Sequence, residues 1–197
     1  RLAVFHDKRK SQQVKSSILR SRSDGSTEFI DFLGNAAQGT NKGLEASLDW
    51  DLHENWNIAL DIAMLDAKFD EYINEFGEDL SGRDQAHAPG HMSSLTVRYS
   101  RGPWNASFAG DSKDDFYFSD RHSVKSERST IINASLSYLA SHWKITLWGR
   151  NLSDKEYRTR GFGSFGNDPR KLYETEPYYQ LGEPRVIGVT LDFFTNL

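Results

Sequence analysis

The sequence has no cysteine among its 197 residues. That excludes a disulfide scaffold, a thiolate metal site and a cysteine nucleophile. It also lacks a basic excess: 24 Lys and Arg stand against 28 Asp and Glu, for a net charge of -4. A nucleic-acid binder normally carries a clear basic footprint, so that class is set aside. Nowhere does the chain hold the run of about 18 apolar residues that a membrane-crossing helix needs, and the mean hydropathy is -0.66. Strands that alternate apolar and polar residues escape such windows, so a membrane β-barrel stays open. Arg1 begins the sequence without Met, basic n-region or apolar h-region. Leu2 to Phe5 already reads as a strand, and the expectation is a fragment rather than a chain with its own signal peptide.

What the chain does have is period two. Leu44, Ala46, Leu48, Trp50 and Leu52 alternate with Glu45, Ser47, Asp49 and Asp51. Leu95, Val97 and Tyr99 flank Thr96 and Arg98, and Trp104, Ala106 and Phe108 alternate with Asn105 and Ser107. Ile132 to Tyr138, Trp143 to Leu147 and Ile187 to Phe193 repeat the pattern. This is strand patterning with one apolar and one polar face. Ile58, Ile62, Leu65 and Phe69 would also line a helix, but Ile58, Leu60, Ile62 and Met64 alternate like their neighbours. The reading is about eight strands, long for a globular protein, near 2–18, 27–52, 55–70, 92–100, 103–115, 128–139, 142–156 and 184–195. Short turns at 53–54, 100–103 and 140–141 interleave with long polar segments at 19–27, 71–91, 116–127 and 157–183. In an antiparallel meander alternate connections share an end, so one end is trimmed and the other carries every long segment. Membrane barrels have this asymmetry; a β-sandwich can also carry long loops.

Amphipathic aromatics bracket each short turn on the apolar face: Trp50 and Trp56, Tyr99 and Trp104, Tyr138 and Trp143. Trp and Tyr favour the membrane–water boundary, where the ring meets acyl chain and the polar atom stays wet. The expectation is an interface girdle; the alternative is the core of a soluble sandwich. Glu45, Asp49, Asp61, Arg98, Asp111, Asn133 and Lys144 fall on the opposite face, as a wet lumen or any solvated sheet face allows.

The motifs resemble the C-terminal barrel of TonB-dependent outer-membrane receptors. Trp148-Gly149-Arg150-Asn151-Leu152-Ser153-Asp154-Lys155-Glu156-Tyr157 is similar to the Asn-Leu-x-Asp-x-x-Tyr stretch that ends the family's penultimate strand. Gly182-Glu183-Pro184-Arg185, followed by Gly188 among alternating apolar residues, is similar to the last strand. Asn41-Lys42-Gly43-Leu44-Glu45 resembles the Gly-hydrophobic-Glu start of an earlier one. The terminal aromatic usual in such barrels falls in register on Thr195, with Phe193 on the lipid face.

The resemblance implies an all-β fold: an antiparallel up-and-down meander of about eight strands within a transmembrane barrel of roughly 22. Residues 1–197 would be the C-terminal segment, without plug or earlier strands. The implied partners are outer-membrane lipid of a Gram-negative cell, a small scarce nutrient (ferric siderophore, cobalamin or glycan), and the TonB complex through the missing plug. No cofactor, nucleic acid or enzymatic activity is implied. The alternatives are a complete eight-stranded barrel with a structural or adhesive role, and a soluble carbohydrate-binding sandwich.

His87 and His91 with Asp84 and Glu78 have no recognised zinc spacing, and Asp111, Asp114 and Asp115 lack the glycine of a calcium loop. Gly161 to Gly166 opens no helix, so it is no phosphate loop. Phe116-Tyr117-Phe118 is expected in an upper girdle, with stacking on a sugar or an aromatic ligand as the alternative. Tyr173, Tyr178 and Tyr179, in the last long segment, are the candidate ligand contacts, because rigid amphipathic rings give contact area at little entropy cost.

Overall fold

The structure, a computed structural model, describes residues 1–74, 76–162, 168–174, 176 and 178–194. Eight strands form one antiparallel sheet. In chain order they are β1 (Leu2–Ser21), β2 (Thr27–His53), β3 (Trp56–Glu71), β4 (His91–Arg101), β5 (Trp104–Lys113), β6 (Ser129–Leu139) and β7 (Trp143–Arg150). A small hairpin of β8 (Arg158–Phe162) and β9 (Tyr178–Leu181) intervenes before β10 (Val186–Phe193), which pairs with β7. The order β1-β2-β3-β4-β5-β6-β7-β10 is an unbroken meander. Among the described residues β1 and β10 do not pair, so the sheet does not close on itself as a complete small barrel would. Among the described residues the only other sheet is the two-stranded β8–β9, so they form no sandwich.

Register follows the alternation. Trp50 opposes Ile58, Ile58 opposes Val97, Val97 opposes Phe108, and Phe108 opposes Ala134. A slip of one residue would put Asp49 and Asp61 among these apolar side chains. The apolar face is left uncovered: Leu48, Trp50, Leu95, Phe108, Leu136, Leu147 and Leu191 are all exposed. Such a continuous exposed apolar surface is foreign to a soluble monomer. Burial lies instead at one end, where Phe69, Tyr72, Leu80 and Ala37 pack with Val14.

The connections 22–26, 72–90, 114–128 and 151–185 all leave that end, and the short turns leave the other. Several boundaries differ from expectation. Segment 19–27 is not a long loop: the ladder runs to Ser21 opposite Thr27, leaving a turn of residues 22–26. No Pro or Gly interrupts the chain from Lys15 to Asp24, so the backbone stays extended up to a turn where Asp24 accepts hydrogen bonds from Ser26 N and Oγ. The polar run Lys8 to Gln13 remains strand, with a bulge between Arg9 and Gln12 and Ser11 at φ 55°. The seventh strand stops at Arg150, not near 156, because Asn151 takes φ 45° and turns the chain. The hairpin β8–β9 inside segment 157–183 is additional. Thr195, at the terminal aromatic register, lies outside the described residues.

Candidate functional site

The polar face is hydrogen-bonded across strands. Arg98 Nη1 donates to Asn57 Oδ1 at 2.9 Å, and Asn57 Nδ2 donates to Asp49 and Asp51 at 2.6 and 3.0 Å. Higher up, Ser94 Oγ donates to Asp111 at 2.8 Å. Toward the long-connection end this face lines a cavity of about 520 Å³ that includes Glu45, Ser47, Asp61, Asp111, Lys113 and Tyr157.

Above it the long connections pack into one cluster. Tyr72 Oη donates to Asp120 at 2.7 Å, Arg83 Nη2 donates to the carbonyls of Ser119 and His122, and His87 N donates to the Tyr117 carbonyl. These bonds join 72–90 to 114–128. Phe116 and Phe118 are buried between them, ring centroids 5.5 Å apart. They face inward, which corrects the expected upper girdle for Phe116-Tyr117-Phe118. A loop with so many backbone polar groups gains more from an internal apolar centre than from an outward ring. Tyr117 is clamped between Arg83 at 4.0 Å and Lys125 at 4.4 Å. Hairpin β8–β9 joins the same centre: the Tyr179 ring lies 6.2 Å from Phe118, and a Cβ on Gly161 would strike the Phe118 ring.

The expected ligand contacts are spread along this hairpin. Tyr179 carries the Arg158 guanidinium at 4.1 Å, and Tyr178 Oη donates to Glu176 at 2.6 Å. Tyr173 sits at φ 58° beside the short 3₁₀ turn Pro169–Lys171. Tyr178 and Tyr179 are exposed and Tyr173 is half-buried. Lys171 and then the Tyr178 hydroxyl hold the Glu176 carboxyl below its ordinary range. His87 lies with its ring 5.7 Å from Phe116. Partial burial first, then the charges of Arg160 and Lys113, lower its pKa. His87, His91, Asp84 and Glu78 do not converge; among the described residues no cluster of three or more such groups could hold a metal.

At the trimmed end the bracketing aromatics stand side by side. Trp56 and Tyr99 are 4.7 Å apart, Trp104 and Tyr138 4.9 Å, and Tyr138 and Trp143 5.6 Å. Trp50 lies on β2 opposite Ile58, two residues beyond Trp56 on β3. Trp148, by contrast, is on the polar face, where Nε1 donates to Thr190 Oγ1 at 3.0 Å.

Sequence reading missed the hub of the motif turn. Asn151 is 1% exposed. Its Nδ2 donates to the carbonyls of Lys155 and Glu183, each at 2.9 Å, and its Oδ1 accepts from Lys155 N at 3.0 Å. Asp154 Oδ1 accepts from Arg185 N at 3.1 Å. The two motifs recognised separately, 148–157 and 182–191, are thus one bonded unit. The signal was present in their residues, but the pairing across the intervening segment was not.

The family model described as "TonB dependent receptor-like, beta-barrel" matches residues 1–152. The chain belongs to this TonB-dependent receptor family. Its place is the outer membrane of Gram-negative bacteria, and the family is one of receptors and transporters. Among solved structures, the ferric yersiniabactin uptake receptor FyuA from Yersinia pestis is 18% identical, with a TM-score of 0.71 over 98% of this chain and 27% of that one. The siderophore receptor PiuA from Acinetobacter baumannii is 17% identical, with a TM-score of 0.69 over 96% of this chain and 25% of that one. The copper transporter OprC is 16% identical, with a TM-score of 0.63 over 98% and 29%. These likenesses show the fold. This chain spans about a quarter of each of those receptors.

Proposed function

We propose that the chain is the C-terminal wall of an outer-membrane receptor that takes up a scarce nutrient, a ferric siderophore, cobalamin or glycan, with energy supplied through TonB and a plug that precedes these residues. The reading rests on one observation: an eight-stranded meander is inside-out. One face is continuously apolar and uncovered, the opposite face is polar, exposed as well, and lines a cavity of about 520 Å³, and the connections 72–90 and 114–128 pack together at one end. Trp50, Trp56, Tyr99, Trp104, Tyr138 and Trp143 then form the girdle at the periplasmic boundary, and Tyr173, Tyr178 and Tyr179 present rings to the ligand from the opposite end.

The test is uptake in cells expressing the full-length receptor against cells lacking it, for iron chelates, cobalamin and oligosaccharides, with and without an uncoupler. One class should enter only with receptor and proton-motive force. No receptor-dependent uptake in any class would refute the reading. Changing Tyr173, Tyr178 and Tyr179 to Ala should lower surface binding of the transported class; unchanged binding would remove these rings from the site.

A further inference from the structure

Toward the long connections the outward face of the sheet changes character. On β1 Leu2 and Val4 give way to His6 and Lys8, on β2 Leu48 and Leu44 to Lys42 and Thr40, and on β3 Met64 to Asp66 and Lys68. All keep the parity of the apolar residues below them, so they share that face. The change falls at one level: His6 opposes Lys42 and Lys42 opposes Asp66, and one pleat higher Lys8 opposes Thr40 and Thr40 opposes Lys68. Lys42 Nζ lies 3.1 Å from one oxygen of Asp66 and Lys68 Nζ 3.4 Å from the other. One carboxylate thus serves two ammoniums and neutralises one. Lys8 is exposed and, among the described residues, in no ion pair. The next acid, Asp70, is farther from the apolar belt and accepts from Thr40 Oγ1 at 2.8 Å. Across the sheet the cation Arg128 is held by Asp114 at 2.8 Å, so the uncompensated charge belongs to β1–β3. Depth says what it faces. Lys42 to Trp50 is nine residues and Trp56 to Asp66 eleven, and a tilted strand crosses the hydrocarbon core in about 9–11 residues. The aromatic row marks one boundary; these lysines stand at the other.

We propose that Lys8, Lys42 and Lys68 form a binding site for the phosphate of an anionic lipid headgroup, on the membrane side of the wall. Neighbouring strands lie about 4.8 Å apart, so Lys8 and Lys68 flank Thr40 at about 10 Å, with Lys42 between them and one pleat lower. Flexible four-carbon stems bring such ammoniums onto one phosphate, and Asp66 sets the spacing of two of them. Directly below, Val4 and Met64 are exposed and receive acyl chain. A free phosphate would use the charges and leave that apolar surface wet, so the lipid is the better fit. The site lies on the face opposite the inner cavity and rests only on the membrane placement of the wall, not on which nutrient is carried.

The experiment uses the full-length receptor in mild detergent and three probes: bisphosphoryl lipid A, the same lipid stripped of its phosphates, and inorganic phosphate. Bound lipid is titrated by native mass spectrometry for the wild type, Lys8→Gln, the triple Gln variant of Lys8, Lys42 and Lys68, and the triple Arg variant. Folding of each is checked by heat-modifiable gel mobility. The wild type should retain the phosphorylated lipid and bind the stripped lipid far more weakly. Lys8→Gln should weaken the phosphorylated lipid about fivefold and the triple Gln variant about a hundredfold, the size of one and three lysines at a charged membrane surface. Neither should change the stripped lipid, and the triple Arg variant should keep most of the affinity. If the triple Gln variant does not fold, Lys8→Gln decides, because that side chain has no ion pair to lose. Equal retention of both lipids by the wild type, or unchanged retention in the Gln variants, would overturn the proposal. Inorganic phosphate that displaces the lipid at equal concentration would also overturn it, by showing a site for a free ion. Any of these with receptor-dependent uptake intact leaves the transport reading standing. Phosphate-dependent retention without uptake of any nutrient class refutes that reading and supports this site.

Discussion

The side chain of Asn151 closes four hydrogen bonds in a space water does not reach, and its main-chain N–H donates to Asn133 Oδ1 at 3.0 Å. Aspartate would keep the shape but lose the two donated bonds and turn an anion toward two carbonyls. Beside it, the main chain at Gly182 supports the Tyr157 ring. A Cβ there would lie 2.0 Å from Tyr157 Cζ, and the Gly182 N–H donates to the Tyr157 carbonyl at 2.8 Å, so backbone and ring hold the same two residues together. Gly188 does the same under Trp148, where a Cβ would meet Cζ2 at 2.3 Å. Glycine recurs in the last-strand motif because aromatic rings lie flat on the backbone there. Gly182→Ala should therefore cost about 1–3 kcal/mol, as overpacking does, by driving the Tyr157 ring out of the cavity wall. Tyr157→Ala in the same chain should recover much of that loss, because the clash has one partner. The check is the temperature at which the full-length receptor loses its folded gel mobility, for both single variants and the double. Strictly additive losses would show that the ring is not what the glycine accommodates.

At the scale of elements, two kinds of order coexist. The strands are set by alternation against two solvents; the long connections are set by a few buried rings. Phe118 is the centre of the second kind, 2% exposed and touched by Phe116, Tyr179 and the β8 backbone at Gly161. Phe118→Ala should remove about 3–5 kcal/mol from the cluster and leave the sheet paired. Limited proteolysis of intact cells should then cut connections 72–90, 114–128 and 151–185 together, while the strands stay protected; cleavage confined to 114–128 would mean the connections are independent. This division also explains what sequence could reveal. Trp50, Ile58, Val97 and Phe108 are apolar at every second position because the outer face is uniform, so strands and register were readable. Phe116 and Phe118 alternate too, but nothing local says that Phe118 packs against Tyr179 some 60 residues on, so a girdle was expected where a core stands. Asn151 and the pairing of Ser21 with Thr27 were hidden for a similar reason: both depend on partners that periodicity does not name.

The whole molecule is a wall with two open edges. Among the described residues β1 and β10 are each paired on one side only, and exposed edges of this length recruit other strands. The wall also has two faces of opposite character, and the tryptophans report on both. Trp50, Trp56, Trp104 and Trp143 are exposed on the apolar face near the short turns, whereas Trp148 is on the polar face and bonded to Thr190. If the apolar face meets lipid and the short turns lie at its boundary, the first four indoles share one depth near the headgroups and Trp148 has no lipid contact. Fluorotryptophan labelling of the full-length receptor in bilayers reads this directly, with each resonance assigned by a Trp→Phe substitution. A spin label carried near the lipid headgroup should broaden the four outer resonances, a label at the acyl-chain centre should broaden them less, and neither should reach Trp148. Equal broadening of Trp148 would mean the faces are reversed. Stronger broadening of the four by the chain-centre label would move the aromatic row to the middle of the membrane, and the short turns could not then lie at its edge.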